Sequence, residues 1–388
     1  MIGTPKVLLL IDRLGLGGAA QVVLNTALAL NRERFSPVVC TTHKAPACNQ
    51  DNLLRQAGVP LIELDRRSRW QLQSWLPLWR VLPTVTILHS HESGSNLWGR
   101  FWGRLFRVPI IITQDHTAAD VKPRIVHLVD RVMSPLSDRI VTVSQFNREL
   151  TLRVEKIPSD KVVTICNGID TDRFAGEPSR RDARRRAGLP EDKWLLAVVG
   201  TLRAEKNHQG LFEALTLIPE DMRSKSHCLV VGSNPYERFE SQLRSEVHRL
   251  GLQEIVSFLG QRSDVPTILS AIDLFVLPSY TECSPMVLME ALAARCPVVA
   301  TTVGGVPEVL NGLGWPLVSP GDSSSLADAI VNVLQMPVEE RNRMAEVGRQ
   351  TVVEKFSKEA SVAQVEQLYH SLLASSSGRT FQHGGGPG

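Results

Sequence analysis

Short runs of β-branched and leucine-rich residues alternate along the chain with longer segments of helical periodicity. Strand-like runs fall at residues 6–11, 38–41, 86–89, 109–113, 139–143 and 162–166. After a break they resume at 194–199, 227–231, 255–258, 274–277 and 298–301. Each run is continuously apolar rather than alternating, as parallel strands covered on both faces require. Strand–helix–strand order repeated in this way predicts an α/β fold of open, doubly wound parallel sheets. A repeat period of about 20–50 residues is missing, which argues against a solenoid.

One further helix is predicted beyond Lys355, because Val362, Val365, Tyr369 and Leu372 recur on one helical face. From Ser375 to Gly388 the chain is rich in serine and glycine, which predicts a disordered tail. The break near residues 170–192 carries five arginines, Arg180, Arg181, Arg184, Arg185 and Arg186. A nucleic-acid arm and a solvated linker helix both fit that run, and the linker helix is preferred because charge runs are usually solvated. The expected division is a first domain over 1–185, a second over 186–354, a helix over 355–374 and a tail over 375–388.

Composition narrows the class. The 388 residues are 43% hydrophobic and 21% charged, enough apolar material for two cores, which excludes a disordered or fibrous chain. With 43 basic and 40 acidic residues the net charge of +3 gives no case for nucleic acid as a partner. Apolar runs such as Val7–Ile11 reach about five residues, against roughly 20 for a membrane span. The first of them is too short and too soon followed by charge to be a signal peptide, so a cytoplasmic location is expected. Six scattered cysteines form no C-x-x-C pair, which gives no support to a disulfide framework or zinc site and suits a reducing compartment.

Two half-sheets of this type leave a cleft at the carboxyl ends of their strands, where open α/β sheets bind ligands. The chemistry is therefore expected on loops that follow strands. The first strand runs into Gly15-Leu16-Gly17-Gly18-Ala19-Ala20, where glycines admit a ligand and a helix N-terminus offers free N–H groups to an anion. That spacing also fits a dinucleotide fingerprint, but the second strand ends Val39-Cys40-Thr41-Thr42-His43 with no acid for a ribose, and the fingerprint loses its second leg. After the break, Gly200-Thr201-Leu202-Arg203-Ala204-Glu205-Lys206-Asn207-His208 places two cations before a helix, a fitting pyrophosphate site. Such a loop is more often merely solvated. A third loop holds Glu282, and Pro285 fits the first turn of a helix that carries Glu290. Two carboxylates so placed suit two hydroxyl-bearing parts of one ligand, with the N–H groups of Ser284, Met286 and Val287 facing an anionic part between them. Taken alone they would read as two unrelated surface glutamates.

In joint order, Glu282-x7-Glu290, the Gly200–Lys206 loop, Asn167-Gly168-Ile169-Asp170-x-x-Arg173-Phe174 and the early Gly-Gly loop resemble the retaining glycosyltransferases of family 4, which have the GT-B fold. Val143-Ser144-Gln145, Gly304-Gly305-Val306-Pro307-Glu308 and Gly321-Asp322 fit as well. The likeness spans about residues 5–373. It implies two Rossmann-like domains facing a central cleft, with a helix from about Phe356 crossing back to the first. It also implies transfer, with retention, of a hexose-type sugar from a UDP- or GDP-sugar to a hydroxyl of a glycan or lipid-linked acceptor. Glu282 would contact the transferred sugar, Glu290 the ribose, and Lys206 the diphosphate with help from Gly17, Gly18, Arg203 and the amides of Ser284, Met286 and Val287. Backbone near Gly260-Gln261 would meet the base. His116 matches the family histidine over the donor sugar, or else it caps the end of its strand. His91 and Asp115 would line the acceptor side or the cleft, beside His89. One departure is Thr201, which stands where the family commonly has arginine; Arg203 is the candidate replacement.

With cations and helix termini available to stabilise the leaving phosphate, no metal or other cofactor is required. Asp170-x-Asp172 imitates a metal-binding D-x-D, but its Asn-Gly turn reads as structural. A two-carboxylate hydrolase mechanism is open on paper, whereas front-face attack with the leaving phosphate as base is the favoured scheme. A nucleotide-sugar epimerase and a non-catalytic binding homologue are the rival functions. Trp70, Trp75, Trp79, Trp98 and Trp102 cluster in the first domain with Arg66, Arg67 and Arg69. Along one helical segment Trp98, Phe101, Trp102 and Leu105 share a face opposite Arg100, Arg104 and Arg107. Such a surface suits anionic headgroups at the inner face of the plasma membrane. The preferred alternative buries the aromatics against the sheet and solvates the arginines.

Overall fold

The computed structural model of the chain describes residues 4–15, 17–44, 49–66, 71–117, 122–175, 179–234 and 237–381. It divides into two compact units, Met1–Ile169 with Lys358–Gly388, and Asp170–Ser357. The first contains a parallel sheet of seven strands: β1 (Lys6–Ile11), β2 (Ser36–Thr41), β3 (Leu61–Glu63), β4 (Ile87–His91), β5 (Ile110–Asp115), β6 (Arg139–Thr142) and β7 (Val162–Thr164). Their spatial order is β3-β2-β1-β4-β5-β6-β7, so winding reverses between β1 and β4. At that reversal the following helices diverge and leave a crevice at the carboxyl edge.

Side chains of β1 show why the strands read as unbroken apolar runs. Val7, Leu9 and Ile11 pack with Val23, Ala27 and Phe35 on one face, while Leu8 and Leu10 pack with Trp75, Leu78 and Trp102 on the other. The first face is completed by Val362, Val365, Leu368, Tyr369 and Leu372 of helix Lys358–Phe381, as the 3-4-3 spacing predicts. The outgoing and returning chain are tied together. Lys358 N–H donates to the Ile169 carbonyl (2.7 Å), the Ser361 hydroxyl to the Cys166 carbonyl (2.8 Å), and the Asn25 amide to the Gly168 carbonyl (3.0 Å). This helix runs on to Phe381 where a disordered tail is expected from Ser375. Extending an existing helix needs no new nucleus, and the Ser371 and Ser375 hydroxyls bond back to preceding carbonyls. Residues 382–388 lie outside the described residues.

Helix Ser93–Leu105 presses on the same sheet through Gly99 and Gly103. An added Cβ would come within 3.0 Å of Ser90 at the first and 2.7 Å of Ile111 at the second. The preferred reading of this helix is corrected in one respect. Trp102 is buried, but Arg100 is not solvated: it is 2% exposed and donates to Asp130 (2.7 Å), Ser137 (3.0 Å) and Thr113 (3.3 Å). Close approach of the glycine face to the sheet draws the adjacent arginine between elements, where a carboxylate and hydroxyls meet its forked donors. The expected headgroup surface is corrected in part: Phe101 and Leu105 remain exposed, whereas Arg66, Trp75 and Trp102 turn inward. The Arg66 guanidinium is buried over Trp75 (4.2 Å) and Trp98 (5.3 Å), and the tryptophans contact one another. Arg67, Arg69 and Trp70 lie outside the described residues.

The second unit holds β8 (Trp194–Val199), β9 (Ser226–Val231), β10 (Val256–Gly260), β11 (Leu274–Leu277), β12 (Val298–Thr301) and β13 (Leu317–Val318), all parallel in the order β10-β9-β8-β11-β12-β13. Its winding reverses between β8 and β11. Strands β3 and β13 are the two that the apolar pattern does not predict. They have three and two residues at the sheet edges, and exposed positions interrupt both.

The first unit ends at Ile169 rather than 185, because helix Arg180–Ala187 is docked in the second unit instead of spanning a linker. Arg184 is buried, bonding Asp273 (2.5 Å) and the carbonyls of Ala271, Glu191 and Lys193, while Arg180 takes the other oxygen of Asp273. That carboxylate also accepts the Leu195 N–H (2.8 Å) and so fixes the start of β8. On the surface, Arg181 and Arg185 share Glu191. The second boundary falls at Ser357/Lys358, where the backbone extends between two helices. Among the described residues no helix is long and apolar enough to cross a membrane.

Removing one partner of the buried pair leaves a charge uncompensated. Asp273→Ala is expected to cost the second unit about 3–5 kcal/mol in urea unfolding, whereas Arg181→Ala at the exposed pair leaves the midpoint unmoved. Equal effects of the two substitutions would contradict the assignment of Arg184 as the docking residue.

Candidate active site

Loops that follow β8 and β11 converge at the winding reversal of the second unit. Asn207 adopts the left-handed region (φ 49°), so that its side chain caps helix His208–Leu217 through the Gly210 N–H (3.1 Å) and donates to the Pro278 carbonyl (3.1 Å). Tyr280 N–H donates to the Glu205 carbonyl (2.8 Å), and the Thr301 hydroxyl to the Ser279 carbonyl (2.6 Å). These bonds bring Lys206 Nζ within 2.6 Å of Glu282 Oε1, which also accepts the Ser279 hydroxyl at 2.7 Å. The Glu282 side chain is 8% exposed and that of Lys206 27%, so the carboxylate is sequestered while the ammonium reaches solvent.

The Gly304-Gly305 turn packs against the backbone of Glu282. Gly304 has φ 51°, and a Cβ there would lie 1.5 Å from the Glu282 carbonyl oxygen, which accepts the Gly305 N–H at 3.2 Å. Helix Met286–Ala293 begins one residue after Pro285, which stands at its N-cap rather than in its first turn. Of the three amides expected to face an anion, that of Met286 is corrected: it donates to the Ser284 carbonyl (2.9 Å), so the bend closes on itself there. Burial raises the Glu290 carboxyl to about 7, and Arg173 of the Asn167–Phe174 motif pulls in the opposite direction. Arg203 is exposed, with no ion pair among the described residues.

In the first unit, helix Gly18–Ala29 begins after Gly17, where an added Cβ would meet nothing within 4 Å; Leu16 lies outside the described residues. Asp12, which sequence reasoning does not single out, ends β1 and accepts the hydroxyls of Ser95 (2.6 Å) and Thr42 (3.1 Å). Its signal was a carboxylate directly after an apolar strand.

His116 follows β5, and its Nε2 shares a hydrogen bond with His91 Nδ1 at 3.1 Å. His91 stacks in turn on His89, whose Nδ1 bonds the Tyr369 hydroxyl at 2.8 Å. Burial holds His116 down to about 4 and His89 to about 3. It also lowers His91, which lies beside the other two, so all three rings are neutral near pH 7.

Asp115 is corrected from an acceptor or cleft residue to a structural one. It binds the Lys122 ammonium and accepts the Thr117 N–H (3.1 Å). Lys122 also pairs with Asp130 (3.3 Å) and Glu155 (2.9 Å), a cluster of carboxylates close enough to hold a cation that here surrounds an ammonium. Burial alone would lower the Lys122 pKa, yet these acids hold it above its ordinary range.

Comparison with known proteins identifies the family. Residues 179–351 match the family described as glycosyl transferases group 1, and residues 16–173 match glycosyltransferase family 4. The chain is 25% identical to a UDP-Gal:alpha-D-GlcNAc-diphosphoundecaprenol alpha-1,3-galactosyltransferase of Escherichia coli, over 92% of this chain and 95% of that one. It is 30% identical to the N-acetyl-alpha-D-glucosaminyl L-malate synthase of Bacillus anthracis, over 69% of each. In fold it resembles Anabaena Alr3699/HepE, solved in complex with UDP and glucose, at a TM-score of 0.84 and 20% identity over 95% of this chain and 100% of the other. From the order of its motifs, its two parallel-sheet units and these relatives, the chain belongs to the family 4 glycosyltransferases of GT-B fold.

Proposed function

We propose that this glycosyltransferase moves a hexose-type sugar from a UDP- or GDP-sugar to a hydroxyl of a glycan or lipid-linked acceptor, with retention at the anomeric carbon. The observation that carries this reading is the Lys206–Glu282 pair at the winding reversal of the second unit. Breaking a glycosyl–phosphate bond places negative charge on the leaving oxygen, and a fixed ammonium in a partly dried site stabilises it. In that scheme Lys206, Arg203 and the amides of Gly17, Gly18, Ser284 and Val287 meet the diphosphate, Glu282 accepts from sugar hydroxyls, and Glu290 accepts from the ribose. His116 presents a neutral imidazole to the transferred sugar, its direction fixed by His91. With protein cations neutralising the diphosphate, no metal takes part, and the leaving phosphate serves as base for the incoming hydroxyl on the same face. The Escherichia coli relative, named for a diphosphoundecaprenol-linked substrate, supports a lipid-linked acceptor, which a cytoplasmic enzyme would meet at the inner face of the membrane.

Incubation with a panel of UDP- and GDP-sugars and lipid-linked acceptors is expected to yield free nucleoside diphosphate and an α-linked product, identified by NMR, with turnover unchanged by EDTA. An epimerised sugar without acceptor would instead identify an epimerase. Lys206→Ala and Glu282→Ala should each lower kcat by about a hundredfold or more with circular dichroism unchanged; wild-type turnover in either would refute the site. Glu290 gives a pH signature. Its carboxyl is neutral below about 7, while ribose hydroxyls require the ionised form, so nucleotide affinity should fall as pH drops below 7 and binding near pH 6.5 should release protons. Calorimetry in two buffers of different ionisation enthalpy measures that release. The part of it missing in Glu290→Gln belongs to this carboxyl rather than to the phosphate.

A further inference from the structure

Helix Arg124–Met133 is inverted relative to every expectation for a helix packed on a sheet. Its inward side carries Asp130, bonded to Arg100 and Lys122, and His127, which lies 3.7 Å from Glu155. Its outward side carries Ile125, Leu128 and Val132, which are 64%, 55% and 65% exposed. That spacing of three then four residues is the stripe a helix normally turns toward a core. On the adjoining helix Ser93–Leu105, linked to this one through Arg100 and Asp130, Phe101 and Leu105 are exposed as well.

The charge around this stripe has one sign. Arg124 and Arg131 flank it and Arg107 follows the neighbouring helix, all exposed, whereas Asp130, the one acid in the two helices, is buried. A second copy of the chain would bring the same patch, whose one acid is buried, and so would offer these arginines no opposite charge. An anionic bilayer satisfies both features, taking the apolar side chains into its interface and the guanidinium groups among its headgroups. We infer that the outward face of helix Arg124–Met133, with Phe101 and Leu105 beside it, docks on an anionic lipid membrane. The helix follows β5 directly, and Lys122, just before it, is bonded to Asp115 at the end of that strand. Docking therefore sets the carboxyl edge of the first sheet, where His116 lies, at the lipid surface. The inference gives the proposed lipid-linked acceptor its place of encounter and rests on that reading only for its purpose.

Flotation of the full chain with vesicles of equal parts phosphatidylcholine and phosphatidylglycerol tests it without acceptor or donor. Wild type should float with these vesicles and not with phosphatidylcholine alone. The combined variant Ile125→Ser, Leu128→Ser, Val132→Ser should bind at least about tenfold more weakly, since three apolar side chains no longer enter the bilayer. Arg124→Gln with Arg131→Gln should lose the preference for anionic lipid. Because all five residues are exposed, thermal midpoints should stay at the wild-type value. Equal binding by the serine variant, a lowered midpoint in it, or a wild-type dimer in sedimentation that the serine substitutions dissociate would each overturn the inference. If no sugar–nucleotide panel gives nucleoside diphosphate while the serine variant still loses vesicle binding, the catalytic reading fails and the docking face stands.

Discussion

Two strands on either side of a winding reversal can hold opposite charges a hydrogen bond apart only if their loops are tied to each other first. In the second unit that constraint is met by uncharged bonds: Asn207 to the Pro278 carbonyl, Tyr280 N–H to the Glu205 carbonyl, and the Thr301 hydroxyl to the Ser279 carbonyl. Lys206 and Glu282 then face each other across 2.6 Å with little freedom left to lose. Each satisfies the other, and in the proposed scheme each turns to a ligand group of its own, diphosphate for the ammonium and hydroxyl for the carboxylate. Preorganisation of this type concentrates an electrostatic effect that water would otherwise dilute.

The first unit solves a different electrostatic problem. Asp115, Asp130 and Glu155 surround Lys122, and Arg100 takes a further share of Asp130. Three carboxylates against two cations leave an excess of one negative charge, and burial raises the Glu155 carboxyl against the pull of Lys122. The neighbouring histidines carry no compensating charge, because burial keeps all three neutral. The orientation of the His116 ring is set by its hydrogen bond to His91, which packs in turn on His89 and, through it, Tyr369.

Much of this was legible from residue order. Parallel strands buried on both faces show as unbroken apolar runs, which is why eleven of the thirteen strands follow from the pattern and the short edge strands β3 and β13 do not. Loops after strands pointed to Lys206 and Glu282, which the fold brings within a hydrogen bond, and Tyr369 fell on the expected helical face. What escaped was partnership. A run of arginines looks the same whether solvated or, like Arg184, locked on a carboxylate 89 residues further along the chain. Arg100 hid because the glycines beside it, by letting the helix close on the sheet, decided where it would point. Asp115 read as a ligand because nothing in the order of residues shows that Lys122 folds back on it.

Tyr369, Val362 and their neighbours form one wall of the first sheet although they are made after the whole second unit. On the ribosome, the first unit therefore emerges with Val23, Ala27 and Phe35 facing water, and it stays so while the whole second unit is synthesised. Completion of the first unit's core must wait for helix Lys358–Phe381. The second unit, continuous in sequence from Asp170 to Ser357, is under no such delay, so the later-made half is free to mature first.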